Sequence, residues 1–141
     1  MSAAGARRWG VVPAGAQLFL AFDWGARRVG VASGNAVTRT ASPLTTVAAE
    51  GDERWRRLLA LIAEWQPHAL VVGVPSHPDG AAHEQTARAL RFARQLHGRA
   101  GLPVVMVDER YSTAEALAAG SRDADAAAAC IILEQYLRSL P

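Results

Sequence analysis

Three acidic positions interrupt runs that otherwise read as apolar core, and carboxylates so placed can hold a cation or move a proton. Asp23 closes LFLAF just before a Gly turn. An Asx-type turn residue would sit there equally well. Asp108 and Glu109 follow VVMV, at the C-terminal end of a run that reads as a buried parallel strand, the edge where α/β sheets present their ligands. Successive strand residues face opposite ways, so one of the two acids points at any given site. Two solvated loop charges are the plainer alternative. Arg110, next in the chain, can pair with an acid or grip a phosphate.

Asp125 is the most informative of the acids. On a helix it shares a face with Ala128, Ala129, Ile132 and Tyr136, at offsets that form the inner stripe. Its carboxylate is therefore expected to point towards a sheet. A carboxylate buried there is paired or coordinates a metal, because burying it alone is costly. The competing explanation is an acid in the first helical turn, favoured by the macrodipole by typically ~0.3–1 kcal/mol, a place that Asp123 fits better.

Converging oxygen ligands, with no convincing His pair and no Cys among them, suit Mg²⁺ or Mn²⁺ better than Zn²⁺. Two such ions about 3.5–4 Å apart can activate a water and stabilise the leaving oxygen of a phosphodiester. His77 and His83 flank Asp79 in PSHPDGAAHEQ, but their spacing matches no zinc pattern and reads as a solvated loop. Cys130, the one cysteine, lies in AAAACIIL and reads as a small buried hydrophobe, so thiol chemistry is not expected.

The elements that must position these acids follow from periodicity. Met1 to Gln17 shows no period and reads as a flexible extension over residues 1–17, leaving residues 18–141 as one domain. LFLAFD, the turn WGAR and RVGVAS make a hairpin. SPLTTV is a third strand, with Pro43 marking an edge or a strand start. Between Asp52 and Trp65, Trp55, Leu58, Leu59, Ile62 and Trp65 recur at helical spacing, with Arg54, Arg56, Arg57 and Glu64 mostly elsewhere. Pro67 stops that helix. ALVVGV is a buried strand, Glu84 to Leu96 a second helix and PVVMV a further strand. Ser112 and Glu115 form a capping box for a short helix over Thr113 to Ala119, ended by Gly120. A last helix runs from about Asp123 to Leu140. An antiparallel meander followed by strands alternating with helices implies an α/β fold: a mixed five-stranded sheet with helices on both faces.

Composition limits the function classes. The chain has 141 residues, room for one domain at roughly 100–200 residues each. Half of them are hydrophobic, which excludes wholesale disorder. All 15 basic residues are Arg against 13 acids, a formal charge of +2. That balance is compatible with phosphate contacts, and equally with plain Arg-rich codon usage. No stretch approaches the roughly 18 apolar residues of a membrane span, and the N-terminal residues lack an apolar signal core. A cytoplasmic protein is expected.

Taken together, FDWGARRVGVAS, SPLTTV, LVVGVPSHPDG, VDERYSTAEA and DAAAACIILEQYL resemble the YqgF/RuvX family, Holliday-junction-resolvase-like proteins also described as pre-16S rRNA nucleases. The match runs from Leu18 to Leu137. The resemblance implies a ribonuclease H-like fold, and it implies that Asp23, Glu109 and Asp125 are the metal ligands and catalytic acids. It further implies a divalent-metal-dependent nuclease, with Mg²⁺ or Mn²⁺ as one or two ions, that matures the 5′ end of pre-16S rRNA. The stretch between Thr113 and Asp125 is shorter than in many members, and the loop at 75–86 lacks an apolar residue common after its Pro.

On this reading Arg27, Arg28 and Arg110 steady flanking phosphates. Gly25, Ser112 and Thr113 complete the nucleic-acid contacts, and Asp108 is a candidate additional ligand. Two other functions compete: a junction-resolving DNA endonuclease, which would need two active sites and so a dimer, and a non-catalytic RNA- or protein-binding assembly factor. An actin-like ATP-binding enzyme is disfavoured by length, since it needs two such domains.

Overall fold

A computed structural model of the chain describes residues 7–75, 83–109 and 124–141. In chain order the elements are β1 (Arg7–Trp9), β2 (Leu18–Trp24), β3 (Val29–Asn35), β4 (Thr40–Val47), α1 (Gly51–Trp65), β5 (Ala69–Pro75), α2 (His83–Ala100), β6 (Val104–Glu109) and α3 (Ala124–Arg138). They form one mixed sheet in the order β1-β6-β5-β2-β3-β4. β2, β3 and β4 make the antiparallel meander, while β5 and β6 run parallel to β2.

The sheet has six strands rather than the expected five. The extra strand comes from within the stretch that reads as an extension: Arg7, Arg8 and Trp9 pair antiparallel with Met106, Val105 and Val104. Three residues are too few to show a period, so this strand forms because an open β6 edge offers it partners. Gly10, at φ +83°, ends it, and Trp9 stacks on His97 at 6.4 Å.

Alternation along the strands divides the core. Leu20, Phe22, Val31, Leu70, Val72, Val104 and Met106 meet Leu58 and Ile62 of α1 and Phe92, Ala93 and Leu96 of α2. Phe19, Ala21, Val71 and Val105 face the other way, against Ile132, Leu133, Tyr136 and Leu137 of α3. The sheet is thus covered on both faces, as parallel strands require. α1 stops where Gln66 turns left-handed at φ 49°, its N–H returning to the Ile62 carbonyl ahead of Pro67. Pro43 lies on the edge strand β4, where its missing N–H costs no ladder bond.

α3 lies close on β3 because two glycines there lack side chains. A Cβ on Gly34 would come within 2.6 Å of Leu133 Cδ2, and one on Gly30 within 1.9 Å of the Asp125 carbonyl oxygen. At the other end of α3, Arg39 donates to the carbonyls of Leu137, Leu140 and Pro141. The short helix expected over Thr113 to Ala119, with its capping box, lies outside the described residues, as does most of the loop after β5. Among the described residues no helix is long and apolar enough to cross a membrane.

Candidate carboxylate site

The site is built on the row of residues where β2, β3, β5 and β6 run side by side. Asp23 is registered with Gly30 on one side and Gly73 on the other, and Gly73 in turn with Val107. In-register neighbours share a face, and Asp23 takes the phase of Phe19 and Ala21, the face that α3 covers. Its two neighbours in the sheet thus carry no side chain. The first turn of α3 fills the space over Gly30, bringing the Asp125 backbone to it and so beside Asp23. β6 carries the two adjacent acids at its C-terminal end. Asp108 alternates with Val104 and Met106 on the α1/α2 face, and Glu109 ends β6 with its backbone registered against Pro75.

The Asp125 carboxylate is not deeply buried. Its side chain keeps 37% of its exposure and accepts from Arg28 Nε at 3.1 Å. The inner-stripe offsets place its backbone against the sheet, but at the first turn of α3 the side chain reaches the rim and meets the β2–β3 turn instead. That turn, Gly25–Arg28, is tight: a Cβ on Gly25 would lie 2.7 Å from the Arg28 carbonyl oxygen. Arg27 and Arg28 are exposed on it.

Sequence reading missed Arg54. Its charge leads one to expect a solvent-facing position on α1, yet it is buried at 7% exposure. Its Nε donates to the Ala49 carbonyl at 2.7 Å, and an Nη donates to Ala26 in the turn at 3.0 Å. Desolvation pulls this guanidinium below its usual range, partly offset by Glu50. The available signal was spacing, since Arg54, Leu58 and Ile62 repeat every four residues and all three are buried.

Among the described residues no three metal-ligating side chains are drawn together. Asp23 and Asp125 are brought to one edge, and the backbone of Glu109 ends strand β6, next but one to β2 in the sheet. Asp108 is exposed on the opposite phase. Arg110, Ser112 and Thr113 lie outside the described residues. Cys130 is half-buried, and burial together with Glu134 raises its thiol to about 11, so it stays protonated at neutral pH and offers no nucleophile.

Known proteins resemble this chain in both sequence and fold. A family model described as Holliday junction resolvase, RuvX, matches residues 17–139. A Polaromonas protein named "Putative pre-16S rRNA nuclease" is 66% identical over 128 residues, covering 91% of this chain and 93% of its own. A protein of the same name from Albidiferax ferrireducens is 64% identical, covering 92% of this chain and 83% of its own. Among solved structures, T. thermophilus RuvC in complex with a Holliday junction substrate superposes with a TM-score of 0.55 at 19% identity, covering 86% of this chain and 93% of that one. At that identity the likeness concerns the fold, which is that of ribonuclease H-like proteins. With a family model spanning nearly the whole domain and relatives at two-thirds identity, the chain belongs to the YqgF/RuvX family.

Proposed function

We propose that this chain is a divalent-metal-dependent nuclease that hydrolyses phosphodiester bonds while maturing the 5′ end of pre-16S rRNA in the cytoplasm. The observation that carries the reading is the seating of the first turn of α3 on Gly30, which sets Asp125 beside Asp23. The nuclease names of its close relatives support the substrate class.

An all-oxygen donor set fits a hard cation. Gly73 leaves the row on one side of Asp23 without a side chain, while on the other the backbone of the first turn of α3 occupies the space over Gly30 and brings Asp125 to it. Asp23, Glu109 and Asp125 would hold Mg²⁺ or Mn²⁺. When bound, the ion lowers the pKa of water and offsets negative charge on the leaving oxygen. The chain's own residues supply the positioning. β2 and β6 fix the two strand acids, while Gly30 and Arg28 hold Asp125 at the rim. Arg27 and Arg28 present two forked cations to phosphates on either side of the scissile bond. Gly25, Arg110, Ser112 and Thr113 extend that contact, and Asp108, in the opposite phase, is not part of it.

The test is cleavage of end-labelled structured RNA and of a four-way DNA junction, in Mn²⁺, Mg²⁺ or chelator, by the parent and by Asp125→Asn. The amide keeps the shape and removes the charge. RNA should be cut only with metal, and the variant should lose at least a hundredfold in rate, or about 2.7 kcal/mol of transition-state stabilisation. Cleavage by Asp125→Asn at the parent rate would remove it from the site. Cutting of the junction alone would make the substrate DNA, and metal-independent binding without cutting would make the chain an assembly factor.

A further inference from the structure

Helix α2 is the basic helix of this protein. It carries Arg88, Arg91, Arg94 and Arg99 against one acid, Glu84, and all four arginines are exposed. The other helices are balanced: α1 sets Asp52, Glu53 and Glu64 against Arg54, Arg56 and Arg57, and α3 sets Asp125 and Glu134 against Arg138. Among the described residues none of the α2 arginines meets a carboxylate at ion-pair distance, whereas Arg56 and Arg57 both bind Glu53. An Arg-rich composition explains how many arginines there are. It does not explain why arginines with no acidic partner among the described residues collect on one element.

Their spacing makes a line. Arg91, Gln95 and Arg99 stand three, seven and eleven residues after Arg88, the offsets of one helix flank, while Arg94 falls off it. From Arg88 to Arg99 the flank runs about 16 Å at 1.5 Å per residue. Both ends are held in place by indoles. The Arg88 guanidinium lies 5.0 Å from the Trp24 ring centroid and that of Arg99 lies 4.5 Å from the Trp55 centroid. Cation–π contact of this kind leaves the forked N–H edge available to a ligand while reducing the side-chain entropy lost on binding.

The line also starts in the right place. Trp24 directly follows Asp23 on β2, and α2 begins beyond the C-terminal end of β5, the strand whose Gly73 is registered with Asp23. A polyanion leaving the carboxylate edge over the α1/α2 face meets Arg88 first, then Arg91 and Arg99.

We propose that this flank of α2 is an exosite for the phosphate backbone of a nucleic-acid strand extending from the carboxylate edge, with Arg88, Arg91 and Arg99 as the phosphate contacts. The choice of nucleic acid rests on the nuclease reading above. Guanidinium forks ranged along one helix flank that leads away from the carboxylate edge suit a continuous strand of phosphates better than the irregular charges of an acidic protein.

The experiment measures binding of a fluorescent single-stranded RNA of about 30 nucleotides in chelator, over a salt series. Each phosphate contact contributes about 0.7 to the slope of log affinity against log salt for a single strand. The variant Arg88→Gln/Arg91→Gln/Arg99→Gln should therefore lose about two from that slope. Equivalently, raising salt from about 50 to about 200 mM should cost the parent about sixteenfold more affinity than it costs the variant. Arg91→Gln alone, which disturbs no ring contact, should lose about 0.7, and Arg94→Gln, equal in charge but off the line, should leave the slope unchanged. Equal slopes for parent and triple variant overturn the exosite, as does a parent that binds polyglutamate in preference to RNA. If slopes fall as expected but the parent never cuts RNA, the exosite stands and the nuclease reading fails. Cutting with unchanged slopes gives the reverse.

Discussion

At the scale of single residues, the site depends on a side chain that is missing. Gly30 has no Cβ, and the backbone of Asp125 occupies the space one would need, 1.9 Å from the carbonyl oxygen. Gly30→Ala must push the start of α3 off the sheet. Overpacking of this kind costs about 1–3 kcal/mol, and here the displaced atoms carry Asp125. The expected result is a lower denaturation midpoint together with cleavage reduced further than the folded fraction accounts for. Gly98→Ala is the matched control: nothing lies within 4 Å of its Cβ position on α2, and Ala is favoured over Gly in a helix by about 1 kcal/mol. That variant should be as stable as the parent or more so, and fully active. Equal behaviour of the two would mean that α3 is not seated by Gly30. The acids themselves were legible in sequence, because each interrupts an apolar run. Gly30 was not, since RVGVAS reads as a strand whether or not its Gly serves as a seat. The partnership of Arg28 with Asp125 was equally hidden, as it joins residues 97 apart in the chain.

At the scale of elements, periodicity carried most of the fold. The meander, both long amphipathic helices and the two apolar strands all have enough residues to express a period, and each lies close to its expected bounds. Strand β1 has three residues and no period, so its existence depends on the β6 edge and not on its own sequence. Arg54 departs for a different reason: a charge reads as exposure, although a long guanidinium can be buried with its N–H groups turned to nearby carbonyls. It joins α1 to the β2–β3 turn through Ala49 and Ala26, and that turn carries Arg28. Arg54→Met keeps the apolar length but removes the donor to two carbonyls that water can partly reach, at about 0.5–1.5 kcal/mol for each lost hydrogen bond. Urea denaturation should show a loss in that range for the variant. The KM for RNA should rise more than kcat falls, since the turn bears the proposed phosphate contacts. A Met variant as stable as the parent, with unchanged KM, would separate Arg54 from the turn's function.

At the scale of the molecule, a net charge of +2 conceals a division between faces. Asp23 and Asp125 lie at the α3 side of one sheet edge, while the arginines of α2 occupy the other face. Such convergence of residues distant in sequence exists in the folded chain alone, so a cation held at the edge must stabilise folding by mass action. At a hundred times its dissociation constant the gain is about 2.7 kcal/mol. For a domain of this size a kcal/mol moves the thermal midpoint by roughly 2–4 °C or slightly more, so Mn²⁺ or Mg²⁺ at that excess should raise Tm by roughly 5–10 °C. Sodium at matched ionic strength should not, because screening alone acts on folded and unfolded chains alike. Asp23→Asn should abolish the shift while retaining the metal-free Tm to within a few degrees, which distinguishes loss of a ligand from loss of the fold. Calorimetric scans of parent and variant, with metal and with chelator, decide the matter without any substrate. A parent whose midpoint ignores divalent cations would leave the carboxylate edge as a surface for pairing with arginines such as Arg28, and the rRNA-cleaving role would have to be sought on another part of the sheet.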